Sequence, residues 1–151
     1  MSKTLVTEIS IAAPVEAVWE VLTNFDRYQD WNPFIVEAAG QARVGSRLTL
    51  RMQPVGGRAM TLRPTVVDAM ASEKLRWRGR WVIPGLLDAE HSFLLEPGSG
   101  GGTRLLQTEV FSGVLTPLVS RSLDRRTLPA FRLMDEALKQ QVESVAGNAT
   151  P

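Results

Sequence analysis

The strongest candidates for chemistry are polar residues that stand within apolar rows of two strand-like segments. Side chains on one face of a strand alternate along the sequence. His91 shares such a face with Phe93, while Gln107 and Glu109 share a face with Phe111 on the next segment. An imidazole beside a carboxylate can move protons or anchor a ligand's carbonyl or hydroxyl group. The alternative is that the opposite strand faces are buried and that these polar side chains are wet.

The register of these two segments follows from the glycine-rich run that separates them. Residues 98–102 are interpreted as a flexible hairpin tip and not as a phosphate-binding loop, because a strand-like run follows where such a loop needs a helix. With the tip as centre, residues whose numbers sum to about 200 face each other, which pairs His91 with Glu109 and Phe93 with Gln107. Opposed Cβ atoms lie about 4.5–5.5 Å apart, so the imidazole and the carboxylate can meet. Burial disfavours both charges, and pairing favours them.

A second candidate is the alternating run from Leu75 to Trp81. Trp77 and Trp81 share one face, and three arginines occupy the other. The indoles either line a cavity or fill a closed core. Arginine beside tryptophan also suits single-stranded nucleic acid, but here the two residue types point to opposite faces and cannot grip one strand together. We therefore expect a solvated basic face and no nucleic-acid partner.

The amino-acid composition excludes most common types of catalytic and metal-binding site. The chain has 151 residues, no cysteine and a single histidine, which excludes disulfides, thiolate chemistry, cysteine-based zinc sites and sites with two histidines. We expect no metal and no cofactor. The net charge of +1 conceals a basic middle, since residues 43–80 carry +7. No apolar run is long enough to span a membrane and no signal peptide is recognisable, so we expect a cytoplasmic protein without stable membrane insertion.

These residues have to be positioned by an antiparallel sheet and a long helix. Residues 3–11 alternate as a first strand, and 13–25 show the three-and-four spacing of an amphipathic helix. Residues 26–33 form a short helix or loop. Short, turn-rich separators then predict antiparallel neighbours among six further strands, at residues 34–39, 47–53, 58–70, 74–82, 87–96 and 103–112.

The chain ends in a helix whose apolar stripe includes Phe131, Met134 and Leu138. Pro129 interrupts the upstream part, which predicts a kink or a new start and a mobile segment beside it. The fold class is α+β, with one curved sheet of seven strands wrapped around the C-terminal helix and two short helices after the first strand.

Several motifs resemble the START-like helix-grip superfamily, in particular its polyketide cyclase/dehydrase and lipid-transport group, also called SRPBCC proteins. The resemblance rests on residues 13–19 (APVEAVW), 25–34 (FDRYQDWNPF), 91–95 (HSFLL), 102–105 (GTRL), 111–113 (FSG) and the terminal Phe131, Met134 and 137–139. It covers about residues 3–145 and implies a single domain over 1–151. It also implies an apolar cavity between the sheet and the C-terminal helix, without a universal set of catalytic residues.

We expect a binder or carrier of a small hydrophobic molecule, such as a lipid or a polyketide-like compound. The expected ligand-binding residues are Trp77, Trp81, His91, Phe93, Gln107, Glu109, Phe111, Phe131, Met134 and Leu138. One alternative is a cyclase or dehydratase in which His91 moves protons and Glu109 orients it. Another is a regulator that binds a protein partner through its sheet.

Overall fold

The computed structural model describes residues 2–81 and 83–148. Within these ranges the chain forms eight strands and three α-helices. The strands are β1 (Ser2–Ile11), β2 (Ile35–Ala39), β3 (Thr49–Met52), β4 (Met60–Leu62), β5 (Thr65–Met70), β6 (Lys74–Trp81), β7 (Leu87–Pro97) and β8 (Thr103–Ser112). The helices are α1 (Val15–Thr23), α2 (Thr116–Ser122) and α3 (Leu128–Asn148). A 3₁₀ helix (Phe25–Asp30) follows α1, and a π-helical turn (Leu123–Thr127) joins α2 to α3.

The strands form two antiparallel sheets, so the expectation of one seven-stranded sheet is corrected. The larger sheet has the order β1-β8-β7-β6-β5, and the smaller has the order β2-β3-β4. The run 58–70, expected to be one strand, is divided into β4 and β5 at Pro64, which has no backbone N–H to donate. The two sheets meet at a bridge between Arg47 and Thr65, where the Leu48 amide donates to the Pro64 carbonyl at 2.8 Å. The α+β class and the two short helices after β1 are confirmed.

The register of the β7–β8 hairpin is the one predicted from its glycine tip. His91 lies opposite Glu109, and Phe93 lies opposite Gln107. The faces are also as predicted, because these side chains are buried while Val110, on the opposite face of β8, is 40% exposed. The alternative in which the polar row is wet is therefore excluded.

The core lies between the larger sheet and α3. Phe131, Met134 and Leu138 recur at helical spacing and are completely buried. Across the same core, Leu75 and Phe93 project from β6 and β7, and both are fully buried. A surface contact, from the Lys139 ammonium to the Ser10 carbonyl at 3.1 Å, ties α3 to β1. Helix and sheet therefore hold the row of polar side chains between them.

The helical segment from Thr116 to Asn148 runs without a break through Pro129. The π turn precedes the proline, and within it the Leu128 amide donates to the Leu123 carbonyl, one residue further back than in an α-helix. The expected irregularity is therefore found as a π turn, and α3 begins at Leu128 with Pro129 in its first turn, where the missing donor breaks no helical hydrogen bond. No helix of the described residues has the length and apolarity to cross a membrane.

Candidate functional site

A pocket of about 300 Å³ lies where the smaller sheet faces the segment formed by α2 and the π turn. Most of its walls are apolar, and Glu109 supplies a buried carboxylate at the side of the larger sheet. The lining residues are Phe34, Met52, Pro54, Gly57, Arg58, Met60, Leu62, Leu87, Glu109, Phe111, Val119, Ser122, Leu123, Arg126 and Thr127. A larger surface groove of about 520 Å³ lies elsewhere, beside Asp26, Glu37 and Arg51. We take the smaller pocket as the candidate site, because small-molecule sites are concave and mostly apolar with few polar groups.

The helical wall of the pocket follows from the spacing of its residues. Val119, Ser122, Leu123 and Arg126 recur at intervals of three and four, which places them on one side of the helical segment. On the opposite wall, Leu62 and Met60 of β4 face inward, and the Val55 amide donates to the Arg126 carbonyl at 2.9 Å. This hydrogen bond fixes the distance between the β3–β4 loop and the π turn.

Behind the pocket wall, Glu109 contacts His91. Atom Nδ1 of His91 lies 3.0 Å from Oε2 of Glu109, and the two residues are only 1% and 4% exposed. Among the described residues neither atom has a hydrogen bond of normal geometry. Unpartnered polar atoms at this depth are unusual and occur at functional sites.

The other ring nitrogen of His91 begins a chain of hydrogen bonds toward α3. Nε2 of His91 lies 2.8 Å from Oε1 of Gln107, and Nε2 of Gln107 donates to Oδ1 of Asp135 at 2.7 Å. Four polar side chains, from Glu109 to Asp135, are thus connected through the core. Such connected networks rigidify a core when their members are satisfied.

Asp135 is the far end of this chain and is 3% exposed. Burial raises the pKa of Asp135 to about 6, from an ordinary value of 3.8. The Thr7 hydroxyl, the Gln107 amide and the charge of His91 act in the opposite direction, and Glu136 adds a small increase. The Asp135 carboxyl therefore titrates in the range where many proteins function.

Aromatic rings enclose the imidazole of His91. Its ring centroid lies 4.7 Å from that of Phe93, 4.9 Å from that of Phe131 and 5.1 Å from that of Trp77. These rings keep bulk water from the imidazole and restrict its rotation. Among the described residues, the polar side chains that contact the imidazole are Gln107 and Glu109.

Comparison with known proteins shows which family this architecture belongs to. The family model for polyketide cyclase/dehydrase and lipid transport matches residues 2–149. The chain belongs to this family. The resemblance to the START-like superfamily is confirmed by this match and by the solved structures. No curated protein matches the sequence.

Solved structures of this family's architecture share the fold at low sequence identity. Zhui aromatase/cyclase from Streptomyces sp. R1128 is 20% identical with a TM-score of 0.77, over 95% of this chain and 94% of that one. A START superfamily protein from Mycobacterium smegmatis is 19% identical with a TM-score of 0.73, over 94% and 98%. Norcoclaurine synthase from Thalictrum flavum is 12% identical with a TM-score of 0.75, over 97% of each chain. At such identities the likeness concerns the fold alone.

The structure divides the expected ligand-binding residues into two groups. Glu109 and Phe111 line the pocket. The others whose side chains are described lie in the packed core behind it: Trp77, His91, Phe93, Gln107, Phe131, Met134 and Leu138. The backbone of Trp81 pairs with Leu87 in the sheet, and its side chain lies outside the described part of the structure. The pocket is thus at one end of the helix and not along its whole length.

Sequence reasoning missed Asp135 and the pocket residues of the smaller sheet. Asp135 follows Phe131 by four positions and precedes Leu138 by three, so it belongs to the same inward stripe. A carboxylate within an apolar helical stripe is the signal that could have found it. In the described residues no three histidine, aspartate or glutamate side chains are grouped as metal ligands.

Proposed function

We propose that this protein binds a small, mainly apolar molecule in the 300 Å³ pocket, with the molecule's polar group directed at Glu109. The observation that carries the proposal is an apolar pocket closed on one side by the buried carboxylate of Glu109, one of its lining residues. The volume lies at the lower end of the range for drug-sized ligands. Family membership supports the proposal, since the family description includes lipid transport.

In this proposal the expected ligand-binding residues have different roles. Phe111 and Glu109 touch the ligand, while His91 and Gln107 support Glu109 from behind. Trp77, Phe93 and Phe131 enclose the imidazole. Met134 and Leu138 anchor α3 to the sheet.

Native mass spectrometry of protein purified without detergent tests the proposal directly. We expect the parent to retain a small molecule that can be extracted and identified. Ser122→Trp places an indole on the pocket wall and should prevent retention, whereas Ser120→Trp, on the same helix but not lining the pocket, should preserve it. A parent that carries nothing, or a Ser122→Trp variant that retains the molecule equally well, would contradict the proposal.

A second candidate is an enzyme of the cyclase or dehydratase type acting on a polyketide-like substrate. It is favoured by the contact between His91 and Glu109 at the pocket, which is the kind of pair that performs general acid and base catalysis. Solved aromatase/cyclases share this fold.

His91→Ala and Glu109→Gln distinguish the two candidates. A binder loses affinity on either change and returns the extracted molecule unaltered. An enzyme keeps much of its affinity in these variants but loses the rate of conversion. Equal binding and equal conversion in the parent and both variants would exclude a role for the pair in either function.

A further inference from the structure

We propose that Asp135 is a positioning residue which, through the Gln107 amide, keeps one proton shared between His91 and Glu109. The pocket then presents an acceptor oxygen of Glu109. It therefore selects ligands with a hydroxyl donor over ligands with only a carbonyl or ether oxygen. The ligand part of this inference rests on the proposed function. The part that concerns the proton rests on the hydrogen-bonded side chains from Glu109 to Asp135 and does not depend on a ligand.

The first step is the orientation of the Gln107 amide. An ionised carboxylate can only accept hydrogen bonds, so the contact of 2.7 Å to Asp135 Oδ1 must be made by the NH₂ group of Gln107. The amide oxygen of Gln107 is then directed at His91. Asp135 thereby determines which end of the amide the imidazole meets.

The second step is the protonation of His91. An amide oxygen cannot donate, so Nε2 of His91 must carry a proton to make the contact of 2.8 Å. Nδ1 would then offer only a lone pair to the Glu109 carboxylate, 3.0 Å away, unless one further proton lies there. Lone pairs that face each other at 3.0 Å would repel, so this proton must be present on Nδ1 or on Oε2, and a slight reorientation of the carboxylate completes the hydrogen bond that the structure does not show. In both cases the His91–Glu109 pair is neutral as a whole.

The third step concerns the groups that face this series of hydrogen-bonded side chains. Thr7 from β1 and Glu136 on α3 act on Asp135, and both are named with Gln107 and His91 among the causes of its pKa. The rings of Trp77, Phe93 and Phe131 also lie against the imidazole. Among the described residues, Glu109 is the one carboxylate in contact with Nδ1.

The consequence for the ligand follows from Glu109. Whichever atom holds the shared proton, that proton lies between Nδ1 and Oε2, and the other carboxylate oxygen is left with lone pairs only. A ligand hydroxyl can donate to it, whereas a ligand carbonyl or ether oxygen would face it unpaired. Sites built for a hydrogen-bonding group discriminate strongly against an analogue that lacks that group.

Because the chain contains one histidine, its ¹⁵N spectrum reports on His91 without assignment ambiguity. At about pH 7.5, above the pKa of Asp135 of about 6, we expect Nε2 to be protonated in the parent. In Asp135→Asn the side chain can donate as well as accept, which frees Gln107 to reverse, so the tautomer protonated at Nδ1 alone should appear. The matched control Glu136→Gln removes the neighbouring, exposed carboxylate and should leave the spectrum unchanged.

An unprotonated Nε2 in the parent would overturn the inference, and so would an Asp135→Asn spectrum identical to that of the parent. Both variants preserve side-chain size closely, and a folded state can be verified in the same spectra. This test needs no ligand, so its outcome is independent of whether the pocket proposal holds.

The ligand part is tested by calorimetry with 2-naphthol, which has a hydroxyl donor, and 2-methoxynaphthalene, which has only an acceptor oxygen. Neutral probes are needed because Arg58 and Arg126 also line the pocket and would attract an acid. We expect 2-naphthol to bind the parent about ten-fold more tightly. Glu109→Gln should abolish that preference, because an amide can present either a donor or an acceptor.

Equal affinity of the parent for the two probes would overturn the donor selectivity while leaving the pocket proposal intact. If neither probe binds, the pocket proposal is contradicted, and the His91 spectrum alone decides the proton arrangement.

Discussion

At the scale of single residues, Gly113 shows how closely the backbone approaches itself beside the pocket. Its φ is +116°, and a Cβ at this position would lie 2.6 Å from the Leu86 carbonyl oxygen. Gly85, in the same pair of hydrogen-bonded loops, has a φ of +86° but no atom within 4 Å of an added Cβ. The two glycines therefore separate the effect of backbone strain from that of steric overlap.

We expect Gly85→Ala to lower the free energy of unfolding by about 1–2 kcal/mol, from the left-handed conformation alone. Gly113→Ala should cost roughly 1–3 kcal/mol more, because the backbone around the Leu86 carbonyl must also move. Urea denaturation of both variants measures the difference. Equal losses in the two variants would show that the close approach relaxes without cost.

The residue scale also shows what the sequence could predict about the site. His91 and Glu109 were predicted to meet because a hairpin with a glycine tip has a register that counting determines. The link to Asp135 was not predicted, because it joins β8 to α3 across the core, over 28 residues of sequence. Local alternation cannot provide a contact of that kind.

At the scale of elements, two prolines determine where segments with a continuous apolar pattern are divided. Pro64 divides an alternating run into β4 and β5, although the alternation continues across it. Pro129 was expected to cause a kink or a new start, and a π turn precedes it while α3 begins at Leu128. In both places the pattern of apolar residues predicted the type of element correctly, and the backbone chemistry of proline determined its limits.

The helical segment beside the pocket should be less stable than the rest of α3. Arg121 and Arg125 are exposed, Leu118 is largely exposed, and Pro129 lacks an amide hydrogen, whereas Leu138 and Val142 are buried in the core. Hydrogen exchange should therefore be faster for the amides of 118–128 than for those of 135–143, and the contrast should shrink when a ligand binds. Uniform protection along the helix would exclude this segment as the route by which ligands enter.

At the scale of the whole molecule, the fold was more predictable than the pocket. Hairpins and amphipathic helices leave periodic patterns in the sequence, so the order of elements and their buried faces could be derived. The pocket depends on the position of the smaller sheet relative to α2 and the π turn, which is determined by contacts such as that between Val55 and Arg126. The periodic pattern of apolar residues in the sequence does not indicate such a contact. For that reason most of the pocket residues were not predicted.

The buried carboxyl of Asp135 should make the stability of the whole domain depend on pH. Because its folded pKa of about 6 exceeds the ordinary value of 3.8, the folded state binds more protons than the unfolded state between these two values. Its contribution to stability is therefore most favourable below about pH 4 and is lost as the pH rises through 6. The size of this loss is on the order of 3 kcal/mol.

Asp135→Asn removes this titration, and the difference between variant and parent isolates it from the other ionisable groups. We expect the difference in free energy of unfolding, measured by urea denaturation from about pH 4 to pH 8, to shift by roughly 2–2.5 kcal/mol in favour of the variant as the pH rises. Glu136→Gln, which removes an exposed carboxylate one residue away, should give a nearly flat difference. A flat curve for Asp135→Asn would mean that Gln107, Thr7 and His91 fully compensate the burial of the charge.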